Sequence, residues 1–253
     1  MVPSSMGSTD CDIVISDMHL LERVGRAGAL CDVLERIRMQ KPRIRRFIIA
    51  GDLLHRNPRF GDPDYFAKKA AKHPKHARAL DIMRAMEAAG TEFIIIPGNH
   101  DSDIAFVQMC YDGIIPGRVV PADEGYCWKR GDDLHFAIHG HQPDPTIQFS
   151  NIEFWTDVYD VFRMDREVPR LSRRFEKFVS KRVLKERNRC VPPYVMKRAR
   201  KLGARYAYWG HTHTIVDRLV VDGVIGYGIG SFAELPSSYV EVTDRGPKLR
   251  IVR

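Results

Sequence analysis

The first hundred residues alternate between short apolar segments and segments of helical periodicity, and this alternation limits the fold more than any other feature of the sequence. The apolar segments at residues 11–16, 43–50 and 93–96 have the length and composition of buried strands. Between them, apolar side chains recur at helical spacing in residues 27–39 and 76–89. Strands that alternate with helices in this way are joined by crossover connections, so the pattern predicts a parallel sheet flanked by helices.

The rest of the sequence is also rich in strands, apart from one long segment. Residues 125–139 predict two strands around a turn at Gly131 and Asp132. Residues 143–202 show helical patterns and no strand pattern. The C-terminal region has a hairpin turn signal at Asp222 and Gly223. It predicts strands at residues 205–209, 215–221, 224–229, 237–243 and 248–252.

These patterns predict an α/β chain with one domain at residues 11–253 and a helical insert, or cap, at residues 143–202. Residues 1–10 lack the apolar centre of a secretion signal and are expected to form a disordered leader. No apolar run reaches the roughly 18 residues that span a bilayer. The five cysteines form no Cys-x-x-Cys pair and fit reduced thiols inside a cell. We therefore expect a cytoplasmic protein, with peripheral contact to a membrane left open.

The insert concentrates the positive charge of the chain. Residues 160–205 contain 16 Lys or Arg and five Asp or Glu, whereas the whole chain has a net charge of +8. Basic and apolar residues alternate here at helical spacing, which is typical of amphipathic helices that pack on the domain and expose a solvated basic face. It is also typical of a lid over an anionic substrate and of a surface for nucleic acid or anionic membranes. The sequence leaves these alternatives open and does not indicate an oligomeric state.

Side chains that can bind metal ions follow five of the predicted strands. Ligands of α/β sheets collect beyond the carboxyl ends of the strands, so these side chains are expected at one edge. Asp17 and His19 are two residues apart, as are His211 and His213, and such residues point to the same side of an extended chain. The full set is Asp17, His19, Asp52, Asn99, His100, Asp101, His139, His141, His211 and His213.

Each of these features alone is also typical of a turn, a strand cap or a satisfied buried histidine. The combination favours a metal site, because every member follows a separate apolar strand. A mixture of carboxylate, amide and imidazole ligands suits Mn²⁺, Fe or Zn²⁺ better than Ca²⁺.

The motifs at these strand ends resemble, in order, the motif series of the calcineurin-like metallophosphoesterases. They are Asp17-x-His19, Gly51-Asp52, Gly98-Asn99-His100-Asp101, His139-Gly140 and Gly210-His211-Thr212-His213. The resemblance implies a four-layer double β-sandwich flanked by helices, with two divalent metal ions at its edge. It also implies hydrolysis of a phosphomonoester, a phosphodiester or a pyrophosphate through attack by a hydroxide that bridges the two ions.

The resemblance further assigns a role to each motif residue. One ion would be bound by Asp17, His19 and His213. The other ion would be bound by Asn99, His139 and His211, and Asp52 would bridge the two. His100 would stabilise or protonate the leaving oxygen, and Asp101 would orient His100. Manganese is the expected metal, with iron or zinc as alternatives, and the expected partner is a phosphorylated anionic substrate.

Several branches of this family differ in their motifs. Protein Ser/Thr phosphatases carry Gly-Asn-His-Glu, whereas this chain has Asp101 at the last position. The UDP-diacylglucosamine pyrophosphatase-like branch is more similar in layout, because it shares the sequence around Asp17, the helical insert and the ending Gly228-Ile229-Gly230-Ser231-Phe232. That branch usually has Arg in place of His100 and Asp in place of His141, which leaves lipid specificity open.

A non-catalytic interaction protein of the same fold is the alternative of another class. Loss of catalysis would be expected to remove metal ligands, and all seven candidate ligands are present in this chain.

His141 and Arg56 are the candidate contacts to the substrate.

Overall fold

A computed structural model describes most of the chain. The described residues are 10–21, 26–39, 43–54, 63–101, 104–148, 170–233 and 235–253. Their strands are β1 (Cys11–Ile15), β2 (Ile44–Ala50), β3 (Glu92–Ile96), β4 (Arg118–Val119), β5 (Tyr126–Arg130), β6 (Asp133–Ile138), β7 (Tyr206–Trp209), β8 (Val216–Val221), β9 (Val224–Gly228), β10 (Ser237–Thr243) and β11 (Gly246–Val252). Their helices are α1 (Ala27–Met39), α2 (Pro63–Lys72), α3 (Pro74–Ala88), α4 (Ile104–Tyr111), α5 (Pro145–Gln148) and α6 (Arg170–Lys201).

The strands form two sheets with mixed directions. The first sheet has the order β11-β10-β1-β2-β3-β4, and its neighbours from β1 to β4 run parallel. The second sheet has the order β5-β6-β7-β9-β8, and β6, β7 and β9 run parallel. Hairpins supply the antiparallel edges of both sheets, through β10 and β11 in the first, and through β5 and β6 and also β8 and β9 in the second. The predicted parallel β1, β2 and β3 are therefore confirmed.

Alternate side chains of the first sheet enter two different cores. In β1, Ile13 and Ile15 pack with apolar residues of α1 and α3. Val14, between them, belongs to a second core together with Tyr208 and Tyr227 of the second sheet. This alternation follows from the period of two in a strand. The first sheet is therefore covered by helices on one face and by the second sheet on the other.

The outer face of the second sheet is covered by the C-terminal half of α6. Val191 and Val195 of this helix are fully buried and pack with Phe136, Ala207 and Trp209 of the sheet. Helices, two sheets and a further helix thus form four layers. The four-layer α/β architecture that the sequence predicts is confirmed.

The second half of the insert is part of the body of the protein. Helix α6 continues to Lys201 and contributes buried side chains to the core, whereas residues 149–169 lie outside the described part of the chain. The leader at residues 1–9 lies outside it as well. None of the described helices has the length and apolar character needed to cross a membrane.

Three short elements were not predicted. Helix α4 is apolar over nearly all of its eight residues and so lacks the one-sided pattern that marks an amphipathic helix. Strand β4 has two residues and pairs along one side with β3. Helix α2 begins at Pro63, and proline is favoured in the first turn of a helix.

Candidate metal centre

The candidate ligands lie on the loops that follow β1, β2, β3, β6 and β7. These loops meet at the carboxyl ends of the parallel strands of both sheets. The side chains of Asp17, Asp52 and His139 are almost completely buried there. Asn99 and His213 are half-buried and mark the side that faces solvent. The structure therefore brings the predicted ligands of the two sheets to one place.

The backbone of these loops adopts an uncommon conformation at most of the ligands. Left-handed backbone costs an L-residue about 1–2 kcal/mol, so it persists where surrounding contacts hold it. Here the loops hold each other, since the backbone N–H of His19 donates to the carbonyl oxygen of Asp52 at 3.0 Å. Positive φ occurs at Asp17 (51°), His19 (45°), Asp52 (52°), His211 (60°) and His213 (51°).

Glycines allow the loops to approach so closely. A Cβ atom on Gly98 would lie 2.1 Å from Oδ1 of Asp52. A Cβ atom on Gly210 would lie 1.8 Å from Oγ of Ser16, whose hydroxyl donates to the carbonyl oxygen of Ala50 at 2.7 Å. Any side chain at these two positions would displace a ligand or its support.

The first ligand group consists of Asp17, His19 and His213. Oδ1 of Asp17 lies 3.2 Å from Nε2 of His213 and 3.9 Å from Nε2 of His19. The ligand atoms of the three residues all lie within 4.8 Å of one another, a spacing that one cation can bridge. The backbone N–H of His211 donates to the other oxygen of Asp17 at 3.1 Å, which fixes the carboxylate.

The second ligand group consists of Asp52, His139 and His211, with Asn99 beside it. Oδ2 of Asp52 lies 3.3 Å from Nε2 of His139, and Oδ1 of Asn99 lies 3.1 Å from the same nitrogen. The other ring nitrogen of His139 lies 2.9 Å from the carbonyl oxygen of Ala50. This contact fixes the ring so that Nε2 faces the two oxygen ligands.

Asp52 lies between the two groups. Its Oδ2 is 3.9 Å from Nε2 of His19 and 3.3 Å from Nε2 of His139. Its Oδ1 accepts the backbone N–H of His100 at 3.0 Å. His100 also forms a third group of converging ligand atoms with His19 and Asp52. The carboxylate of Asp52 therefore faces a histidine of each ligand group.

The buried aspartates stay ionised because their histidine neighbours outweigh the effect of burial. Burial raises the pKa of Asp17, but His213 and His139 lower it by more, so the pKa lies well below its ordinary value. Burial also raises the pKa of Asp52, and the charges of His139 and His100 bring it well below its ordinary value. Burial lowers the pKa of His139, but the carboxylate of Asp52 raises it to about 9. A cation bound here would replace the proton on His139.

The other two buried histidines of the candidate site, His19 and His211, are neutral. Burial lowers the pKa of His19 to about 3 and the pKa of His211 to about 4. A neutral imidazole keeps the lone pair that a metal ion requires. Carboxylate, amide oxygen and imidazole donors thus converge, and once the proton on His139 is displaced they suit a divalent transition metal.

Asp101 holds two loops together. Its Oδ1 accepts the backbone N–H of Gly98 at 2.6 Å, and its Oδ2 accepts those of Leu53 at 2.6 Å and Leu54 at 3.3 Å. Burial and the nearby charge of Asp52 raise the pKa of Asp101 to about 7. The orientation of His100 by Asp101 stays a prediction.

Of the two candidate substrate contacts, the structure describes His141 but not Arg56. His141 is half-buried, and its ring lies 5.4 Å from that of His139 between centroids. Nδ1 of His141 is buried and has no hydrogen-bond partner within the described part of the chain. Burial lowers the pKa of His141 to about 3. Arg56 lies outside the described residues.

Asp144 is a residue of the site that the sequence did not reveal. It is fully buried, and its Oδ2 lies 2.7 Å from Nε2 of His211 and 3.0 Å from Nε of Arg187. A single aspartate in a loop after His139 carries no recognisable signal, because its two partners come 43 and 67 residues later.

Comparison with known families decides the relationship of the chain. The family model described as calcineurin-like phosphoesterase matches residues 13–214, a range that contains every candidate ligand. The chain belongs to the calcineurin-like phosphoesterase family. This family is metal-dependent, and the donor groups described above fit such a metal. Among curated proteins no significant match was found.

Solved structures with a similar fold include two of Vps29 from Entamoeba histolytica. A single mutant is 16% identical, with 96% of this chain and 98% of that chain covered and a TM-score of 0.46. The wild-type protein in complex with zinc is 15% identical, with 96% and 98% covered and a TM-score of 0.43. A conserved uncharacterized protein from Streptococcus pneumoniae, described as a predicted phosphoesterase, is 14% identical, with 95% and 97% covered and a TM-score of 0.39.

Proposed function

We propose that this member of the calcineurin-like phosphoesterase family is a phosphoric ester hydrolase with two divalent cations. Manganese is the first candidate, and iron or zinc are alternatives. The position of Asp52 supports this proposal, since its carboxylate faces His19 of one ligand group and His139 of the other. One carboxylate lies between two groups of histidines, and these histidines are either neutral or carry a proton that a cation can displace. This arrangement fits two cations better than one.

When bound, two such cations polarise phosphoryl oxygens and activate water. The residues of the chain hold and orient the reacting groups. Asp52 fixes the distance between the two ligand groups. It also holds the backbone of His100 by accepting the N–H of this residue. The imidazole of His100 then donates a proton to the leaving oxygen, in the manner of a positioned general acid. His141, beside His139, contacts the phosphoryl group or its first substituent.

The proposed substrate is a phosphomonoester, a phosphodiester or a pyrophosphate with an anionic character. The basic composition of α6 supports an anionic substrate, because the contact of Arg187 with Asp144 brings this helix beside His211. A UDP-diacylglucosamine pyrophosphatase-like activity and a protein phosphatase activity are the narrower alternatives. Nucleic acid and anionic membranes are alternative partners of the same basic helix.

Turnover of generic esters tests the reaction class. Metal-free protein is reloaded with Mn²⁺, Fe²⁺ or Zn²⁺, and bound metal is measured by mass spectrometry. Hydrolysis of p-nitrophenyl phosphate and bis-p-nitrophenyl phosphate is then followed by absorbance. We expect turnover that depends on added metal. A folded protein that binds two cations and hydrolyses neither ester, nor any member of a panel of nucleotides, UDP-sugars, UDP-lipids, cyclic nucleotides, nucleic acids and phosphopeptides, would refute the enzyme and support an interaction role.

The variant Asp52→Ala tests the position of Asp52 between the two groups. Its loss removes the oxygen that faces both His19 and His139, so we expect bound metal to fall and turnover to disappear together. Asp133→Asn is a matched control, because Asp133 pairs with Arg205 at the surface of the second sheet. Full metal content in Asp52→Ala would contradict the bridging role.

A further inference from the structure

Asp144 contacts the metal centre but is not a member of any group of converging ligand atoms found among the described residues. Both of its oxygens are occupied. Oδ1 accepts the backbone N–H of Thr146 at 2.8 Å and the hydroxyl of Thr146 at 2.7 Å. Oδ2 lies 2.7 Å from Nε2 of His211 and accepts Nε–H of Arg187 at 3.0 Å. A fully buried carboxylate held by four contacts has little freedom to move.

The contact to Asp144 decides which nitrogen of His211 can bind a cation. An ionised carboxylate can only accept a hydrogen bond, so Nε2 of His211 carries the proton, and a neutral imidazole protonated at Nε2 keeps its lone pair on Nδ1. His139 is held in the complementary way, with Nδ1 at the carbonyl oxygen of Ala50 and Nε2 facing Asp52. Each histidine of the second ligand group is thus oriented from behind, but only His211 is oriented by a charged group.

Helix α6 supports this arrangement through two consecutive residues. Arg187 donates to Asp144, and Nδ2 of Asn188 donates to Oγ1 of Thr214 at 3.0 Å. Thr214 directly follows His213, so the helix contacts the loop of both C-terminal histidines. Gly140 allows this approach, since a Cβ atom there would lie 2.7 Å from Val191 of the same helix. Helix α6 is therefore placed to influence the candidate metal centre.

We infer that Asp144 is a positioning residue for the second ligand group, which selects the Nε2-protonated form of His211 and makes its Nδ1 a stronger ligand. Arg187 fixes Asp144, so the affinity of this group for its cation depends on helix α6. This inference deepens the proposed function and rests on its two-cation centre. Carboxylates behind metal-binding histidines typically contribute 10–100-fold to metal affinity.

A purely structural role would have a different consequence. Asp144 could simply join α6 to the loop of His211, and its loss would then lower the melting temperature without a selective change at one cation site. The proposed role changes the affinity of one cation and the protonation of one ring nitrogen. Both quantities can be measured without turnover.

The first experiment measures metal binding by calorimetry on the metal-free full-length protein, titrated with Mn²⁺. We expect Asp144→Asn, which keeps the shape but loses the charge, to weaken one of the two cation sites about 10–100-fold. Arg187→Gln should weaken the same site by a smaller factor, and Arg187→Lys should restore part of it. Arg189→Gln is the matched control, because Arg189 pairs with Glu186 on the surface of the same helix and should leave both affinities unchanged.

The second experiment reads the ring of His211 directly. Nitrogen-15 magnetic resonance of the zinc-loaded protein should show a proton on Nε2 and the zinc shift on Nδ1 of His211, and Asp144→Ala should disturb this pattern. Wild-type affinities in a folded Asp144→Asn variant, or zinc on Nε2 of His211, would overturn the inference. If Asp144→Asn does not fold, Arg187→Gln and the wild-type spectrum decide the question. Wild-type protein that binds two cations without any turnover would overturn the proposed function and leave these two readouts to decide the inference.

Discussion

His100 is the residue whose proposed role differs most from that of its neighbours. It belongs to a group of converging ligand atoms with His19 and Asp52, yet the family resemblance gives it a proton to donate rather than a metal to bind. Its backbone N–H is held by Asp52, so truncation of the side chain leaves this support in place. Proton donation and metal binding by the His100 side chain can therefore be distinguished by experiment.

We predict that His100→Ala keeps its bound metal but lowers turnover about 10²–10⁴-fold, the usual contribution of a positioned acid. The decrease should be largest for esters with poor leaving groups, because an activated leaving oxygen needs no proton. Metal content by mass spectrometry and kcat for a series of phenyl phosphates provide the measurements. A loss of metal equal to that of Asp52→Ala would instead make His100 a ligand.

At this scale the sequence shows the candidate ligands but not what holds them. Asp17 and Asp52 follow neighbouring parallel strands of the first sheet, so the strand pattern places them at one edge, whereas His139 reaches this edge through the packing of the second sheet on the first. Asp144 cannot be found in this way, because its contacts to Arg187 and His211 depend on how the insert folds back. The positive φ of the ligands is equally hidden, since it is imposed by contacts between separate loops.

Helix α6 combines two environments along one element. Leu184, in its central part, is 41% exposed, whereas Met196 near its end is 2% exposed and packs against the second sheet. The sequence predicts a helical insert. Basic residues dominate its composition, so the apolar face of the second half is difficult to recognise from the sequence. Packing of amphipathic helices on the domain is one alternative that the sequence offers for residues 151–165 and 171–185, but the core side chains of residues 191–199 lie beyond them and are not predicted.

We predict that Met196→Ala lowers the free energy of unfolding by about 2–5 kcal/mol, the usual range for truncation of a buried side chain. Leu184→Ala is the control on the same helix, and its effect should lie within about 0.5 kcal/mol. Urea denaturation measures both. Equal small effects would show that the second half of α6 is a separable cap rather than part of the core.

His76 links α3 to the loop that follows β1. Its Nδ1 accepts the backbone N–H of Leu21 at 2.9 Å, and this bond requires an unprotonated nitrogen. Burial, and then His73 and Lys69, lower the pKa of His76 to about 4 from an ordinary value of 6.5. The unfolded chain therefore takes up a proton before the folded chain does, as the pH falls below 6.5.

It follows that the stability conferred by neutral His76 is complete above pH 6.5 and is lost as the pH falls toward 4. We predict that His76→Asn, whose amide oxygen can accept the same N–H, loses less stability between pH 7 and pH 5 than the wild-type protein. Urea midpoints at the two pH values measure the difference. A pH dependence identical to that of the wild-type protein would show that His76 does not titrate in this range.

The metal centre as a whole depends on the packing of the two sheets. Asp17, His19 and Asp52 come from loops of the first sheet, whereas His139 and His211 come from loops of the second. Each of the two groups proposed to bind a cation takes ligands from both sheets, since His213 completes the first group and Asp52 completes the second, whereas His19, Asp52 and His100 all follow strands of the first sheet. A cation bound to either group would therefore bind the folded chain and not the unfolded one.

Such selective binding must stabilise the fold, because a ligand at 100 times its Kd adds about 2.7 kcal/mol for each site. For a chain of this size, about 1 kcal/mol raises Tm by roughly 2–4 °C, so saturation of one site is expected to raise it by roughly 5–10 °C. We predict this increase when Mn²⁺ is added to metal-free protein in a thermal melt, and its reversal by a chelator. Asp52→Asn should lose most of the increase, because Asp52 faces both groups, whereas Asp133→Asn should keep it. A wild-type melt that does not respond to Mn²⁺, Fe²⁺ or Zn²⁺ would show that the two sheets do not form a metal centre between them.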